Sequence, residues 1–268
     1  MNNTATSTSS DTHNTLLTDE ELKLYERQIQ DENIGIAGQE KIKQSSVMIS
    51  RVGGLGGSVA MLLAKAGIGK LVLAHDGVVE HENLNRMHLA FRKDLGQPRI
   101  DVFERTLNDI NPDVEIVKTN ENVNSDNADW LASQADIIVD AAPLFEERYL
   151  MNQSAVAQQK PLVMAGMYGL DGYVTTVKPG SSACLACIFP KPPEDWNLTI
   201  FPVITPSPVI ISSIAAMEVL KLIVGIGDTL ENKLLYCDLL TNTYKKLDVS
   251  KRHDCPVCGT PVEAEMAV

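Results

Sequence analysis

Apolar and polar positions follow two different patterns along the chain, one before and one after residue 166. Between residues 45 and 166, short apolar runs recur, and they are Val47–Ile49, Leu71–Leu73, Val114–Val117, Ile137–Val139 and Leu162–Met164. Stretches with helical spacing separate these runs, and they lie near 58–66, 98–110, 125–134 and 146–158. Short buried strands that alternate with helices predict an α/β fold with a doubly wound, mostly parallel, Rossmann-like sheet. Ligands of such sheets bind at the carboxyl ends of the strands.

The pattern changes after residue 166. Residues 168–180 alternate and contain glycines, and residues 233–249 have the form of a hairpin with its turn at 238–243, so both predict antiparallel strands that extend the sheet. Residues 188–208 carry six prolines and predict a long loop. Residues 209–225 are apolar nearly all round, which predicts a buried helix, either in the core or near a subunit interface.

The bulk composition narrows the class of protein. A net charge of −12 argues against nucleic acid as the main partner. The first 17 residues are polar and read as a disordered tail, not as a signal peptide. Glu218 and Lys221 interrupt the longest apolar tract, which argues against a membrane span. We therefore expect a cytoplasmic protein with a single domain over residues 18–268, which begins with a capping box at Thr18 and Glu21.

A glycine-rich turn follows the first predicted strand. Gly53, Gly54 and Gly56 lie where a strand passes into a helix, the arrangement that holds a phosphate at a helix N-terminus. Arg51 stands where the first glycine of the motif is expected, and it either adds a phosphate contact or fills the pocket. Asp76, after the second strand, is a candidate for the ribose hydroxyls. A nicotinamide-dependent dehydrogenase would explain this turn but no other motif of the chain.

Four of the five cysteines form two C-x-x-C pairs, Cys184/Cys187 and Cys255/Cys258. Each pair alone could be a redox dithiol, but two pairs in one chain favour a closed, tetrahedral, structural zinc site. Cys237 stands alone in an apolar strand and is expected to be a buried core thiol.

Several short segments, in order and spacing, resemble the ThiF/MoeB/HesA family. They are LYERQI at 24–29, GGLG at 53–56, NLNR at 83–86, DLGQPR at 94–99, NP at 111–112 and the two cysteine pairs. The members are relatives of the enzymes that activate ubiquitin-like proteins. Within the family, residues 74–86 and 181–196 look most like HesA proteins, which are associated with nitrogen-fixation gene sets.

The resemblance implies one adenylation domain, with its nucleotide-binding part at about 45–166 and its antiparallel, zinc-bound part at about 167–260. The implied reaction is an adenylyltransferase reaction, in which the C-terminal glycine carboxylate of a ubiquitin-like sulfur carrier attacks the α-phosphate of ATP and pyrophosphate leaves. It would serve sulfur transfer in the biosynthesis of molybdopterin, thiamine or a metallocluster.

The resemblance also implies roles for individual residues. Arg86 and Arg99 would contact the phosphates, and Asn83 would lie beside the ribose and phosphates. Arg27 would reach the phosphates from the partner subunit of a homodimer. Magnesium would accompany the nucleotide.

The chain departs from the family pattern at several positions. His75 and Gly77 stand where the family has two aspartates, and Pro143 replaces the magnesium-binding aspartate, although Asp140 of the same motif is kept. Carboxylates that could replace it are Asp76, Glu146 and Glu147. With Arg51, these changes leave open a second function, that of a catalytically degenerate nucleotide- or cofactor-binding protein that assists the assembly of a nitrogenase-type metallocluster.

Overall fold

A computed structural model describes residues 15–194 and 201–259 of the chain. Most of the tail predicted over residues 1–17 lies outside these residues, as do residues 260–268. Residues 15–17 pack against the domain, since Leu17 is buried and the backbone N–H of Leu16 donates to the Glu40 carboxylate at 2.7 Å. The packed chain therefore already includes residue 15, three positions before the predicted start.

One eight-stranded sheet forms the centre of the described residues. Its strands are β1 (Ser46–Ile49), β2 (Lys70–Ala74), β3 (Glu115–Thr119), β4 (Ile137–Asp140), β5 (Leu162–Tyr168), β6 (Asp171–Val177), β7 (Lys233–Asp238) and β8 (Thr243–Asp248). The helices are α1 (Asp19–Leu24), α2 (Glu26–Ile29), α3 (Gly35–Gln44), α4 (Gly54–Ala66), α5 (Arg99–Ile110), α6 (Ala128–Ser133), α7 (Phe145–Ala157), α8 (Leu185–Ile188) and α9 (Pro206–Val224).

The strand order is β3-β2-β1-β4-β5-β6-β7-β8, and its first five strands are parallel while the last three are antiparallel to their neighbours. The predicted doubly wound, mostly parallel sheet with an antiparallel extension is confirmed. The chain leaves β1 toward β2 on one side and later returns to β4 on the other. The carboxyl ends of β1 and β4 therefore flank the crevice in which a sheet of this kind binds ligands.

Two apolar cores cover the two faces of the sheet. Successive strand residues point to opposite faces, so Val47 and Ile49 of β1 enter the core under α3, α4, α5 and α9, while Met48 enters the core under α6 and α7. The first core is built around large buried side chains such as Leu63 and Phe103. The second core contains the four paired cysteines.

Several element boundaries differ from the sequence-based expectations for local reasons. Helix α6 begins three residues later than predicted, because Asn124 and Asn127 form side-chain turns with the backbone before it. Helix α9 begins three residues earlier, since Pro206 occupies its first position, where a missing N–H costs nothing. The capping box of Thr18 and Glu21 at α1 is confirmed.

Helix α9 is long and apolar enough, by length and composition, to cross a membrane, and it is the one such helix among the described residues. Half of that stretch is buried inside the protein. Ile211, Ala215 and Val219 enter the core, and Ser212 donates a hydrogen bond to the backbone of α4 at 2.7 Å. Met217 remains 53% exposed on the opposite side. The helix is therefore a core helix with one apolar stripe left at the surface.

Candidate active site

A cavity of about 240 Å³ opens at the carboxyl ends of β1 and β4, at the predicted crevice. Its polar wall is formed by Arg51, His75, Glu82, Asn83, Arg86, Arg99 and Arg148. Its remaining wall consists of the glycine turn and of apolar or small residues, among them Pro143, Gly166, Met167, Phe201 and Val203. Four arginines thus face a small cavity in a protein whose net charge is −12.

The glycine turn brings the N-terminus of α4 to the cavity. Gly53 caps the helix and, with Gly54, lines the wall. Gly56 lies beneath the wall, where a Cβ atom would come within 1.9 Å of the carbonyl oxygen of Arg51. Only glycine allows this approach of helix and strand, so the free N–H groups at the start of α4 can face the cavity.

Asn83 holds the segment between β2 and α5 in place. Its side-chain oxygen accepts hydrogen bonds from the Glu80 backbone at 3.0 Å and from Nε of Arg99 at 3.1 Å. Another nitrogen of Arg99 pairs with the Glu80 carboxylate at 3.0 Å. The main role of the buried Asn83 side chain is therefore to orient Arg99.

Among the described residues, no carboxylate lies within salt-bridge distance of Arg86, in contrast to the other three arginines of the cavity. It donates to the backbone oxygen of Glu82 and to the side chain of Asn85 at 3.2 Å. Burial lowers the pKa of its guanidinium, the nearby Glu82 carboxylate raises it, and a smaller repulsion from Arg99 lowers it again, although the group stays charged at neutral pH. An anion in the cavity would relieve that repulsion.

Arg51 does not fill the cavity. Its Nε and one terminal nitrogen bind both carboxylate oxygens of Glu147, at 2.9 and 2.7 Å, and this fork lays the side chain along the wall. Its other terminal nitrogen lies 3.8 Å from Asp76. The cavity therefore remains open, because the buried Glu147 carboxylate holds the Arg51 side chain against the wall.

A fully buried ion pair supports the floor of the cavity. Asp140, at the end of β4, accepts from Nε of Arg148 at 2.7 Å and from the backbone N–H of Ala142 at 3.1 Å. Burial by itself would lower the pKa of Arg148, but Asp140 and the hydroxyl of Tyr173 raise it above its ordinary value. The retained Asp140 therefore binds an arginine and is not free to bind a cation.

His75 is buried between charged groups and is neutral. Burial, followed by the repulsion of Arg51 and Arg99, lowers its pKa to about 3. Its Nδ1 has no hydrogen-bond partner among the described residues, and its Nε2 lies 3.5 Å from Arg99. A neutral imidazole thus stands where the family resemblance leads one to expect a carboxylate.

The structure brings most, but not all, of the predicted nucleotide residues together. Gly53, Gly54, Asn83, Arg86 and Arg99 line one cavity. Gly56 lies beneath it, the side chain of Asp76 is 52% exposed at its rim, and Arg27 is exposed on α2, away from it.

Sequence reasoning gave no role in the cavity to Met167, Phe201 or Val203. The last two lie in the proline-rich segment, where Gly169 bonds to the Pro202 carbonyl at 2.9 Å and brings that segment to the end of β5. Such a long-range contact leaves no periodic signal in the sequence.

The four paired cysteines form one buried cluster, and it is the one group of metal-binding type among the described residues. All four sulfurs lie within 4.8 Å of one another, and neighbouring pairs are 3.4 to 4.0 Å apart. Four thiolates around one zinc at about 2.3 Å need sulfurs just under 4 Å apart, so the spacing fits a tetrahedral site. Cys237 is buried in β7, outside the cluster.

Polar groups beside two of the four cysteines favour thiolates. Burial would raise the pKa of Cys255, but the backbone N–H groups of Val257 and Cys258 help to lower it to about 7. The buried amide nitrogen of Asn152 has no partner among the described residues, and its proximity partly offsets the rise that burial causes in the pKa of Cys184. A thiolate at Cys184 would accept from that amide, which supports metal binding at this cluster.

Comparisons with known proteins agree with this architecture. The sequence profile of the ThiF family matches residues 25–257. Protein HesA (heterocyst) of Trichormus variabilis is 40% identical over 243 residues, which cover 91% of each chain. A sulfur carrier protein adenylyltransferase of Thermus thermophilus is 36% identical over 261 residues, covering 93% of this chain and 95% of its own. The crystal structure of E. coli MccB with ATP has a TM-score of 0.73 and 25% identity, and the match covers 84% of this chain and 69% of MccB.

Proposed function

Because the chain belongs to the ThiF family, we propose that it is an ATP-dependent adenylyltransferase that activates the C-terminal glycine of a ubiquitin-like sulfur carrier. The carboxylate of the carrier attacks the α-phosphate, the bond between the α- and β-phosphates breaks, and pyrophosphate leaves. The acyl-adenylate then serves sulfur transfer in cofactor biosynthesis. The similarity to HesA proteins favours a cofactor of the nitrogenase type among the possible products.

The observation that carries this proposal is the convergence of the glycine turn, Arg86 and Arg99 on one cavity at the carboxyl ends of β1 and β4. The N-terminus of α4 and the two guanidinium groups supply fixed positive charge, which stabilises the charge that develops on a transferring phosphoryl group. The solved relative MccB was crystallised with ATP, which supports ATP as a ligand of this chain.

Arg27 fits this proposal only if a second copy of the chain supplies it. The side chain is exposed on α2 and does not line the cavity of its own chain. We therefore include a homodimer in the proposal, with Arg27 of one subunit reaching the phosphates bound by the other. The partly exposed apolar stripe of α9, which includes Met217, is a candidate for part of the subunit contact.

Carrier-dependent exchange of pyrophosphate into ATP tests the reaction. We expect exchange with a diglycine-ended carrier, and an Arg86→Ala variant is expected to lose about a hundredfold or more in rate because one phosphate contact is removed. Arg92→Ala, an exposed arginine that does not line the cavity, is the matched control and should exchange like the wild type. Folded wild-type protein that shows no exchange with any such carrier would refute the proposal.

Subunit mixing tests the shared site. Separate Arg27→Ala and Arg86→Ala proteins should both be inactive. An equal mixture should regain about a quarter of the wild-type rate, because about half of the dimers are then mixed and each mixed dimer has one intact site of two. An Arg27→Ala protein with wild-type exchange, or a mixture without recovery, would exclude a role for Arg27 across the interface.

The structure also favours a second candidate function. The neutral residues His75 and Pro143 and the paired Arg51 suit a protein that binds a nucleotide without turning it over and assists metallocluster assembly. ATP binding without exchange, together with the absence of any gain in a Pro143→Asp variant, would support this function.

A further inference from the structure

The carboxylates at the cavity face arginines, which leaves the site poorly suited to a divalent cation. Asp140 is fully buried behind Arg148, and Glu147 is 5% exposed behind Arg51, so neither forms part of the cavity wall. Binding a cation to either carboxylate would require breaking an ion pair that is already satisfied.

Four further carboxylates lie near the cavity, and all are exposed: those of Asp76, Glu80, Glu82 and Glu146. Glu80 already pairs with Arg99 at 3.0 Å. Asp76 lies at the rim, 3.8 Å from Arg51, and is not part of the lining. Glu82 lines the cavity beside Arg86, whose charge it faces. Glu146 is exposed and does not line the cavity either.

Three positions of the site where the family has aspartates carry no carboxylate here, and one of them, Pro143, is the position of the family's magnesium-binding aspartate. Pro143, on the cavity wall, has no side-chain ligand atom, Gly77 has no side chain, and His75 presents an imidazole. Magnesium prefers oxygen ligands in near-octahedral geometry, normally one or two carboxylates together with phosphate oxygens and water. The residues present therefore do not fit the expected cation.

Arg51 lies in the same wall and has the geometry to replace the missing charge. Glu147 holds two of its nitrogens at 2.9 and 2.7 Å, which fixes the plane of the guanidinium and leaves the remaining terminal nitrogen toward Asp76 and the rim. A guanidinium that is already ordered loses little freedom when it binds a phosphate oxygen.

We propose that Arg51, oriented by Glu147, supplies in this cavity the positive charge that a divalent cation supplies elsewhere, so that the site binds metal-free ATP. The inference rests on the proposed nucleotide site, and it names the form of the nucleotide that binds there. Arg51 is then a specificity-determining residue for the uncomplexed triphosphate.

Calorimetric titration of the full chain with ATP, once in excess EDTA and once in excess magnesium chloride, tests the inference. The wild type is expected to bind ATP in EDTA at least as tightly as in magnesium. Because Arg51→Gly alone would leave Glu147 buried without its partner, the test variant is the double substitution Arg51→Gly/Glu147→Gln. We expect it to lose about tenfold or more of the affinity measured in EDTA. Arg92→Gly is the matched control and should keep the wild-type affinity, and thermal unfolding verifies that each protein is folded.

A complementary variant reintroduces a cation ligand. Adding Pro143→Asp to the double substitution should make binding tighter in magnesium than in EDTA, a reversal of the wild-type preference. Wild-type protein that binds ATP only in magnesium would overturn the inference and leave the proposed function standing. Wild-type protein that binds ATP in neither solution would overturn both. A double variant with wild-type affinity in EDTA would show that Arg51 does not contribute to ATP binding.

Discussion

The four-cysteine cluster and the cavity follow different plans, although helix α7 contributes to both. The cluster takes four identical residues from two short C-x-x-C segments, so its chemistry depends on the residue type alone. The cavity is lined by different residue types from distant segments, and its chemistry depends on which of these side chains form ion pairs with one another. Glu147 and Arg148 of α7 serve the cavity, while Asn152, one turn later, contacts the segment of the first cysteine pair. Removing one residue should therefore have different consequences in the two regions.

The largest expected effect is the loss of the cluster. The double variant Cys255→Ser/Cys258→Ser should contain no zinc and should lose several kcal/mol of unfolding free energy, because metal binding at such a site is coupled to folding. Metal analysis and denaturant unfolding measure the two effects. Cys237→Ser, a buried cysteine outside the cluster, should retain one zinc per chain, and a zinc-containing double variant would contradict the assignment.

The next largest effect is the loss of stability when the buried ion pair at the cavity loses one of its two charges. Asp140→Asn keeps the shape of the side chain but leaves Arg148 buried without a counter-charge, so we expect a loss of about 3–5 kcal/mol in unfolding free energy. Denaturant unfolding gives the value. Asp248→Asn, which removes the exposed partner of Lys233, should leave stability unchanged within error. Equal losses in the two variants would show that burial of the pair contributes nothing.

A smaller effect depends on pH. His75 has a pKa of about 3 in the folded protein against an ordinary value of 6.5, so the unfolded chain takes up a proton first and stability falls as the pH drops below about 6.5. Between pH 7 and pH 5 the wild type should lose about 2 kcal/mol more than His75→Gln, at about 1.4 kcal/mol per pKa unit. Protonation of the cysteines affects both proteins equally and cancels. Parallel stability curves would mean that His75 has the same pKa in the folded protein as in the unfolded chain.

The smallest effect tests whether α7 couples the two regions. Asn152→Ala should weaken zinc binding about tenfold, because a residue that supports a metal ligand is removed. Its affinity for ATP should not change, since Asn152 does not line the cavity. Competition with a chromogenic chelator and nucleotide titration measure the two affinities. A parallel loss of ATP affinity would show that the helix transmits changes from the cluster to the cavity.

Much of the fold was predictable because its signals are local. The short apolar runs at β1 to β5 and the helical stretches between them placed every parallel strand, since buried strands and amphipathic helices have distinct periods. The start of α9 at Pro206 was less predictable, because proline is tolerated at a first helical position and resembles a loop signal in sequence.

The candidate site was predictable only in part. Gly53, Asn83, Arg86 and Arg99 could be selected from the sequence because they belong to contiguous motifs, and all four line the cavity, while their role in nucleotide binding stays a prediction. The pairing of Arg51 with Glu147 could not be predicted, since the two residues are far apart in sequence and many surface carboxylates were equally available. The apolar wall from Phe201 and Val203 depends on how a proline-rich segment packs on β5.

The sequence alone determined the residue types at each motif: four thiols in two pairs, a glycine turn after a strand, an arginine in place of an expected glycine, and His75, Gly77 and Pro143 in place of expected aspartates. Only the tertiary structure decided how those charges are used. Ion pairs form between side chains that the fold brings within a few ångströms, and burial makes the choice of partner energetically decisive. Asp140 and Glu147 consequently hold arginines, and the cavity presents guanidinium groups to whatever enters it.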